Sequence, residues 1–268
     1  MNAFTRPAPS APPPEHEHDD WDHHWSVYNE ATEQNPAQRF RRRAILRLLD
    51  VRDPGARIFD IGSGQGDLVG ALSKAYPRAQ ITGLEYSRSG VEISRLKVPS
   101  AVFLHRDLTL SGRPPAERTQ WATHAVCSEV LEHVDDPRLL LLNAMAYCQS
   151  GCRLVITVPG GPMSAFDRHI GHRRHYDVIS LTHLLESAGL IVETSFTLGF
   201  PFFNLYRLAV IVRGERLNAD VSSEPGRRRW AMGAMTSAFR LLLSMNPPVR
   251  RFGWQIVAVA LVPARGVR

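Results

Sequence analysis

The segment from Ile58 to Gly66, which reads IFDIGSGQG, limits the possible folds more than any other part of the chain. Its first four residues predict a short buried strand, and the residues after Gly66 predict a helix. Glycines at such a strand-to-helix turn allow a tight bend and let a ligand approach the backbone closely. The segment therefore predicts an α/β fold with a ligand-binding loop that contains Gly62, Ser63, Gly64 and Gly66.

Acidic residues near this loop indicate what kind of ligand it holds. The spacing is GxGxG with Asp60 two residues before the first glycine, whereas the pyrophosphate fingerprint is GxGxxG with its acid about 20 residues later. Asp60 suits an ammonium group. Glu85 ends the next strand and is placed to accept from ribose hydroxyls, with Tyr86 beside it to cover an adenine ring. Asp107 follows the third strand and is placed to accept from the adenine amino group.

Strand and helix patterns alternate along most of the chain, which predicts a mostly parallel sheet with helices on both faces. The predicted strands are Arg57–Ile61, Gln80–Glu85, Ala101–His105, Ala122–Ser128, Arg153–Val158, Ile191–Leu198 and Trp254–Leu261. The predicted helices are Pro36–Asp50, Gly66–Tyr76, Ser87–Lys97, one that begins at Asp136 and one that begins at Asp177. In the helix after Asp136, the residues Leu139, Leu142 and Ala146 are predicted to share one face.

The predicted domain organisation is a single domain over residues 21–268, preceded by a disordered tail over residues 1–20. The tail is rich in proline and in His, Asp and Glu, so it has too few apolar residues to order its backbone. The domain divides into an N-terminal helix, a core, a helical insertion and a last strand, at 36–50, 57–198, 199–253 and 254–261. The insertion carries two apolar stretches, Phe200–Val212 and Trp230–Met245.

Charge and cysteine content limit the partners and the compartment. The formal net charge is +6, and clustered arginines at Arg39–Arg43 and Arg227–Arg229 fit either solvated helix faces or contact with an anionic ligand or membrane. The three cysteines form neither a disulfide framework nor a CxxC metal pattern, and residues 1–20 lack the apolar core of a signal peptide. We expect a cytoplasmic protein, with at most peripheral membrane contact.

Four motifs in order, FDIGSGQG, GLEYS, HRDLT and CSEVLEHVDDP, resemble the class I methyltransferases that use S-adenosylmethionine (SAM), in the broad branch that contains ubiquinone-type O-methyltransferases. The resemblance covers about residues 25–198 and the last strand. It implies a Rossmann-like seven-stranded sheet whose last strand is antiparallel, and SAM as the methyl donor. It also implies that Leu108, Ser128 and Glu129 line the SAM pocket with the loop and the acids.

The acceptor of the methyl group is expected beyond the fourth strand, because ligands bind at the carboxyl ends of strands in open α/β sheets. His133 is the first candidate for a base that removes a proton from the acceptor, and a purely structural histidine is the alternative. Some ubiquinone-type relatives hold a divalent cation with a matching ExxEH segment. A second hypothesis is therefore a cation site formed by Glu129, Glu132 and His133. In this hypothesis the turn is helical and the three side chains share one face.

A second group of polar residues follows the fifth strand, where the segment Gly171–Tyr176 reads GHRRHY and resembles a GHxRxY segment of bacterial members of this branch. Its basic residues suit an anion better than zinc, since no cysteine is nearby, so His172, Arg173 and Tyr176 are candidates for acceptor binding. The N-terminal Trp25–Asn29 also resembles these enzymes, in which such segments cover the SAM site, and Tyr28 is a candidate neighbour of the methionine moiety.

The sequence thus predicts SAM-dependent O-methylation of a small-molecule or lipid- or sugar-linked acceptor by in-line transfer. An RNA methyltransferase and a SAM-binding regulator without turnover are the alternatives. A DNA amino-methyltransferase is disfavoured because CSEV stands where (D/N/S)PPY is expected, and a dehydrogenase because of the glycine spacing. The insertion either caps the sheet edge or forms an apolar roof over the acceptor site, rimmed by arginines.

Overall fold

The computed structural model describes residues 21–22, 25, 35–110, 112–213 and 227–264, without the side chains of residues 213–234. The predicted tail and Tyr28 lie outside these residues. The strands are β1 (Arg57–Ile61), β2 (Gln80–Glu85), β3 (Val102–His105), β4 (Ala122–Ser128), β5 (Cys148–Pro159), β6 (Ile191–Leu198) and β7 (Gln255–Leu261). The α-helices are α1 (Pro36–Leu49), α2 (Asp67–Ala75), α3 (Arg88–Lys97), α4 (Pro137–Met145), α5 (Ala165–His169), α6 (Val178–Ser187), α7 (Phe202–Arg213) and α8 (Arg227–Ser244).

The strands form one seven-stranded sheet in the order β3-β2-β1-β4-β5-β7-β6. The strands from β3 to β5 are parallel to one another, and β7 runs antiparallel to both of its neighbours. This confirms the predicted fold, including the antiparallel last strand and the helices that precede it. Ile61 pairs with Leu84 on one side and with Cys127 on the other, so β1, β2 and β4 end at the same sheet edge.

The core consists of two apolar clusters because side chains of a buried strand alternate between the two sheet faces. On β1, Phe59 and Ile61 belong to one cluster and Ile58 to the other. All three are almost completely buried, and each contributes about 1.5–3 kcal/mol relative to an exposed side chain. The strand that carries the glycine loop is therefore held on both faces.

Two differences from the predicted elements affect the core. β5 begins at Cys148, five residues before the predicted Arg153. In α4 the buried residues are Pro137, Leu140, Leu141 and Ala144, whereas Leu142 is exposed, so the predicted face was wrong. The four consecutive leucines of α4 fit more than one face, and the packing of α4 against both α6 and β5 decides which face is buried.

The insertion is anchored to the N-terminal helix. Phe203 of α7 and Leu243 of α8 form a small buried cluster with Ala37 of α1. The hydroxyl of Tyr206 on α7 donates to the side chain of Asn35, which also caps α1 by accepting from Ala37 N. In the part of the chain that is described, no helix combines the length and apolarity needed to cross a membrane.

Candidate active site

The glycine loop turns sharply at the end of β1. The backbone N–H groups of Gly62 and Ser63 both donate to the carbonyl of Leu84 on β2, which fastens the loop to the neighbouring strand. Gly62, Gly64 and Gly66 have φ values of 70°, 53° and 82°. Other residues rarely adopt this left-handed region, so the loop needs glycine at these positions.

Asp60 and Glu85 stand at the sheet edge beside this loop. Glu85 accepts from Gly64 N at 2.8 Å and from Ser87 N at 2.9 Å, so it joins the glycine loop to the turn after β2. Asp60 is 2% exposed, and its Oδ2 has no hydrogen-bond partner among the described residues. Burial, with a smaller effect from the nearby Glu85, raises the pKa of Asp60 to about 8. A buried carboxyl without a partner suits a cationic ligand group.

The remaining donor-side candidates lie around the same edge. Tyr86 is 42% exposed, and Leu108 is buried. Asp107 is half-buried, and its Oδ1 accepts from both the backbone N–H and the hydroxyl of Thr109. The hydroxyl of Ser128, at the end of β4, is 2.8 Å from that of Thr157.

Glu129 faces an unexpected set of partners. Its Oε1 accepts from Gln255 Nε2 at 2.9 Å and from Thr157 Oγ1 at 3.2 Å, and its Oε2 lies 3.3 Å from a guanidinium nitrogen of Arg41. The backbone at Glu129 has a φ of 56°, and the segment that follows is a turn rather than a helix. The condition under which Glu129, Glu132 and His133 would share one helical face is therefore not met.

The described N-terminal residues lie over the donor side of the site. Asp22 accepts from the hydroxyl of Ser87 and from the backbone N–H of Ser89, in the turn after β2. The ring of Trp25 lies against Gly64, since a Cβ at Gly64 would be 2.8 Å from that ring. The ring of Trp21 makes an edge contact with His133, with a centroid distance of 4.7 Å.

On the acceptor side, His133 also makes an edge contact with His172, again at 4.7 Å between ring centroids. His172 is half-buried, and this burial lowers its pKa to about 4, so the ring is neutral near pH 7. Glu132, next to His133, is completely buried. The backbone N–H of Arg173 donates to the carbonyl of Glu132, which brings the GHRRHY loop to the turn after β4.

Two of the predicted acceptor residues point elsewhere. The Tyr176 hydroxyl donates to the carbonyl of Leu131 at 3.1 Å, and burial raises the pKa of Tyr176. The guanidinium of Arg173 forms an ion pair with the exposed Asp135. Of the three candidates on this loop, His172 is the one that the fold brings to His133.

The cation site implied by the ExxEH resemblance does not fit as a set of three. Glu129 is held by Arg41, Gln255 and Thr157, and the group of donor atoms that converge around Glu132 and His133 includes His172 instead. A second converging group consists of Asp167, His172 and His175. Both oxygens of Asp167 are already used, by Ser164 and by Arg207 of α7.

Sequence reasoning missed several residues of this region. The contacts of Arg41, Asp167, Arg207 and Gln255 were not predicted, because the partners of these residues are far away in the chain. Gln255 and Glu129, for example, are 126 residues apart. No local sequence pattern predicts such contacts. The contact between Gln255 and Glu129 forms because the sheet order places β7 beside β5.

A seven-stranded sheet in this order, with a glycine loop and acids at its carboxyl edge, defines a class I SAM-dependent methyltransferase fold. Residues 33–194, more than half of the chain, match the family described as methyltransferase domain. The chain belongs to this family, and SAM is its methyl donor.

Curated relatives are distant. The chain is 26% identical over 132 residues to the ubiquinone/menaquinone biosynthesis C-methyltransferase UbiE of Desulfotalea psychrophila, a match that covers 49% of this chain and 52% of UbiE. It is 28% identical over 114 residues to a ubiquinone biosynthesis O-methyltransferase of Xanthomonas campestris, over 42% of this chain and 47% of that protein. The chain thus spans about half the length of the curated relatives that it matches.

Solved structures share the fold at low identity. A chain of the complex that contains the Haloferax volcanii Trm112 methyltransferase activator has a TM-score of 0.64 at 15% identity, over 94% of this chain and all of that chain. The [4+2]-cyclase SpnF has a TM-score of 0.63 at 15% identity, and the match covers 92% of this chain and 97% of the SpnF chain. A Haemonchus contortus phosphoethanolamine N-methyltransferase with bound SAM has a TM-score of 0.56 at 15% identity, and the match covers 83% of this chain and 52% of that enzyme's chain. At these identities the likeness concerns the fold alone.

Proposed function

We propose that this protein transfers the methyl group of SAM to a hydroxyl oxygen of a small-molecule or lipid- or sugar-linked acceptor. The observation that carries the proposal is the position of His133. It follows β4 by five residues, at the sheet edge that also holds Asp60 and Glu85, and its ring contacts Trp21 and His172. These contacts support a role for His133 as a base at the donor side of the site.

The reaction needs little covalent chemistry from the protein. The sulfonium of SAM is already activated, so holding the acceptor in line with the S–CH₃ bond supplies much of the catalysis. As the acceptor oxygen forms its bond to the methyl carbon, the S–CH₃ bond breaks and S-adenosylhomocysteine leaves. His133 takes the hydroxyl proton and later releases it to solvent, a contribution of roughly 10²–10⁴-fold for general base catalysis.

In this proposal the donor is held by residues of three neighbouring strand ends. Asp60 binds the methionine ammonium, Glu85 binds the ribose hydroxyls, and Asp107 accepts from the adenine amino group. Tyr86 covers the adenine ring. Further contacts come from the glycine loop and from the side chains of Leu108, Ser128 and Glu129.

A lipid-linked acceptor is supported by the surface of the insertion. Large apolar side chains are exposed along α7 and α8 and directly after α8, namely Leu205, Leu208, Val212, Met235, Leu241 and Met245. Beside them, a groove of about 270 Å³ between α1 and α8 is lined by Arg39, Arg43 and Arg240. Apolar side chains next to guanidinium groups match an amphiphile with an anionic headgroup. The side chains of Arg227–Arg229 lie outside the described residues.

Flotation with anionic vesicles tests this surface. We expect the wild-type protein to float with vesicles that contain phosphatidylglycerol, and the Arg39→Ser/Arg43→Ser variant to float much less. Arg47→Ser is the matched control, because Arg47 is exposed on the same helix but does not line the groove. If the wild type does not float and a freely soluble acceptor is methylated efficiently, the lipid-linked acceptor is wrong while the methyltransferase core stands.

Acceptor class is tested with radiolabelled SAM and a panel of phenols, sugars, lipid-linked sugars and RNA. We expect label in a hydroxyl-bearing small or lipid-linked compound, and greatly reduced label with His133→Ala. Label in RNA would favour an RNA methyltransferase. Tight SAM binding with no labelled product from cell extract would favour a SAM-binding regulator.

A further inference from the structure

Glu132 occupies an unusual position for a carboxyl group. Its side chain is completely buried, and neither of its oxygens has a hydrogen-bond partner among the described residues. A buried carboxylate without partners is strongly unfavourable, so it must either be protonated or receive a cation. The nearest histidine nitrogen, Nε2 of His133, lies 4.0 Å from Oε1 of Glu132.

The two neighbouring acids already have cationic partners. Glu129 pairs with Arg41 at 3.3 Å, and Asp167 accepts from Arg207 at 2.9 Å. Glu132 forms no ion pair with a lysine or arginine in the described part of the chain. Of these three acids, Glu132 is therefore the one that no described lysine or arginine contacts directly.

The hydrogen bonds of the GHRRHY loop fix the protonation of His172. Nδ1 of His175 lies 3.0 Å from the carbonyl oxygen of Gly161, which only accepts, so His175 carries its proton on Nδ1. In the neutral ring, Nε2 of His175 is then an acceptor, and it lies 3.2 Å from Nδ1 of His172. His172 must donate from Nδ1. Its Nε2 is left with a lone pair.

We propose that Glu132, His133 and His172 form a binding site for a divalent first-row transition-metal ion, with His172 in the place that the ExxEH resemblance gives to Glu129. One donor atom of each residue lies within 4.8 Å of the others. Metal–ligand bonds of about 2.0–2.2 Å would bring the three atoms closer together than the present limit of 4.8 Å. His175 then serves as the outer partner that orients His172, as is usual for metal-bound histidines.

The ligand set also decides which ion is preferred. Two imidazoles and one carboxylate suit Zn²⁺, Co²⁺ or Mn²⁺, whereas Mg²⁺ prefers oxygen ligands. Three protein ligands leave coordination positions open, and an acceptor hydroxyl bound there would be more acidic than a free one. When the ion is bound, Nε2 of His133 is a ligand and does not take the acceptor proton, so the metal-bound hydroxyl loses its proton to solvent and this replaces the base role of His133 proposed above. Metal binding itself needs neither SAM nor turnover.

Titration of the metal-free full-length protein with Co²⁺ and Zn²⁺ tests the site, by calorimetry and by the visible absorption of Co²⁺. We expect one ion per chain, and much weaker binding of Mg²⁺. His172→Ala and Glu132→Gln should each weaken Co²⁺ binding by on the order of 10- to 100-fold. Glu129→Gln should leave the Co²⁺ affinity unchanged. His183→Ala, which removes an exposed histidine of α6, is the matched control.

A second measurement uses the wild-type protein, so it remains informative if the variants fail to fold. In the wild-type Co²⁺ protein, we expect two paramagnetically shifted imidazole N–H proton signals, from His133 and His172. The proposal is overturned by any of three results: fewer than two such signals, equal Co²⁺ affinity in the wild type and His172→Ala, or a loss in Glu129→Gln as large as that in His172→Ala. Failure of metal binding would leave the proposed methyl transfer untouched, because the titration contains no SAM or acceptor.

Discussion

Replacing Asp60 with asparagine should make the SAM-free protein more stable near neutral pH and weaken its binding of SAM. Asp60 is buried with an unpartnered oxygen, and its pKa is raised from 3.8 to about 8. Between these two values the folded protein holds a proton that the unfolded chain has released. The free energy of unfolding of the wild type therefore falls as pH rises from about 4 to 8.

The magnitude follows from the size of the shift. Each pH unit in this range lowers the free energy of unfolding of the wild type by about 1.4 kcal/mol. At pH 7 this free energy is therefore about 4 kcal/mol lower than it would be with a residue at position 60 that does not titrate. The stability difference between Asp60→Asn and the wild type should thus grow by about 2.5–3 kcal/mol from pH 5 to pH 7. Groups that do not interact with Asp60 titrate equally in both proteins and cancel in the comparison.

Urea unfolding of both proteins at pH 5, 6 and 7 measures this difference, and calorimetry at pH 7 measures SAM binding. If Asp60 holds the methionine ammonium, the variant should bind SAM about 1.5–3 kcal/mol more weakly, as expected for a lost hydrogen bond to a charged group. Binding of SAM to the wild type should also release close to one proton at pH 7. Parallel stability curves for the two proteins between pH 5 and 7 would refute the argument from burial.

Three further predictions concern the same edge of the sheet. Gly64→Val should abolish SAM binding in calorimetry, because φ is 53° there and a Cβ would be 2.8 Å from the ring of Trp25; unchanged affinity would exclude this loop as the donor site. Glu85→Ala should weaken SAM binding by about 1–3 kcal/mol, and an effect near zero would place the ribose elsewhere. His133→Ala should lower turnover by on the order of 10²–10⁴-fold while SAM affinity stays the same, and full turnover with the true acceptor would remove its role as base.

The fold was predictable from the sequence because its signals are local. The strand that ends in Asp60 and Ile61, the glycines after it and the acid at Glu85 follow one another within about one βαβ unit, where apolar periodicity and glycine spacing carry the information. The buried face of α4 was not predictable. Leu139 to Leu142 are all apolar, so periodicity alone does not distinguish the sides of this helix, and its contacts with α6 and β5 select Leu140 and Leu141 for burial.

On the acceptor side, the sequence by itself determined which residue types were available, and the tertiary structure decided which of them meet. Glu129, Glu132 and His133 are neighbours in the chain, yet the turn directs Glu129 to Arg41 and Gln255. His172 comes from a loop about 40 residues further on and takes the position beside His133. The physical reason is that backbone direction at a turn and the pairing of distant strands set side-chain contacts, and neither leaves a periodic pattern in the sequence.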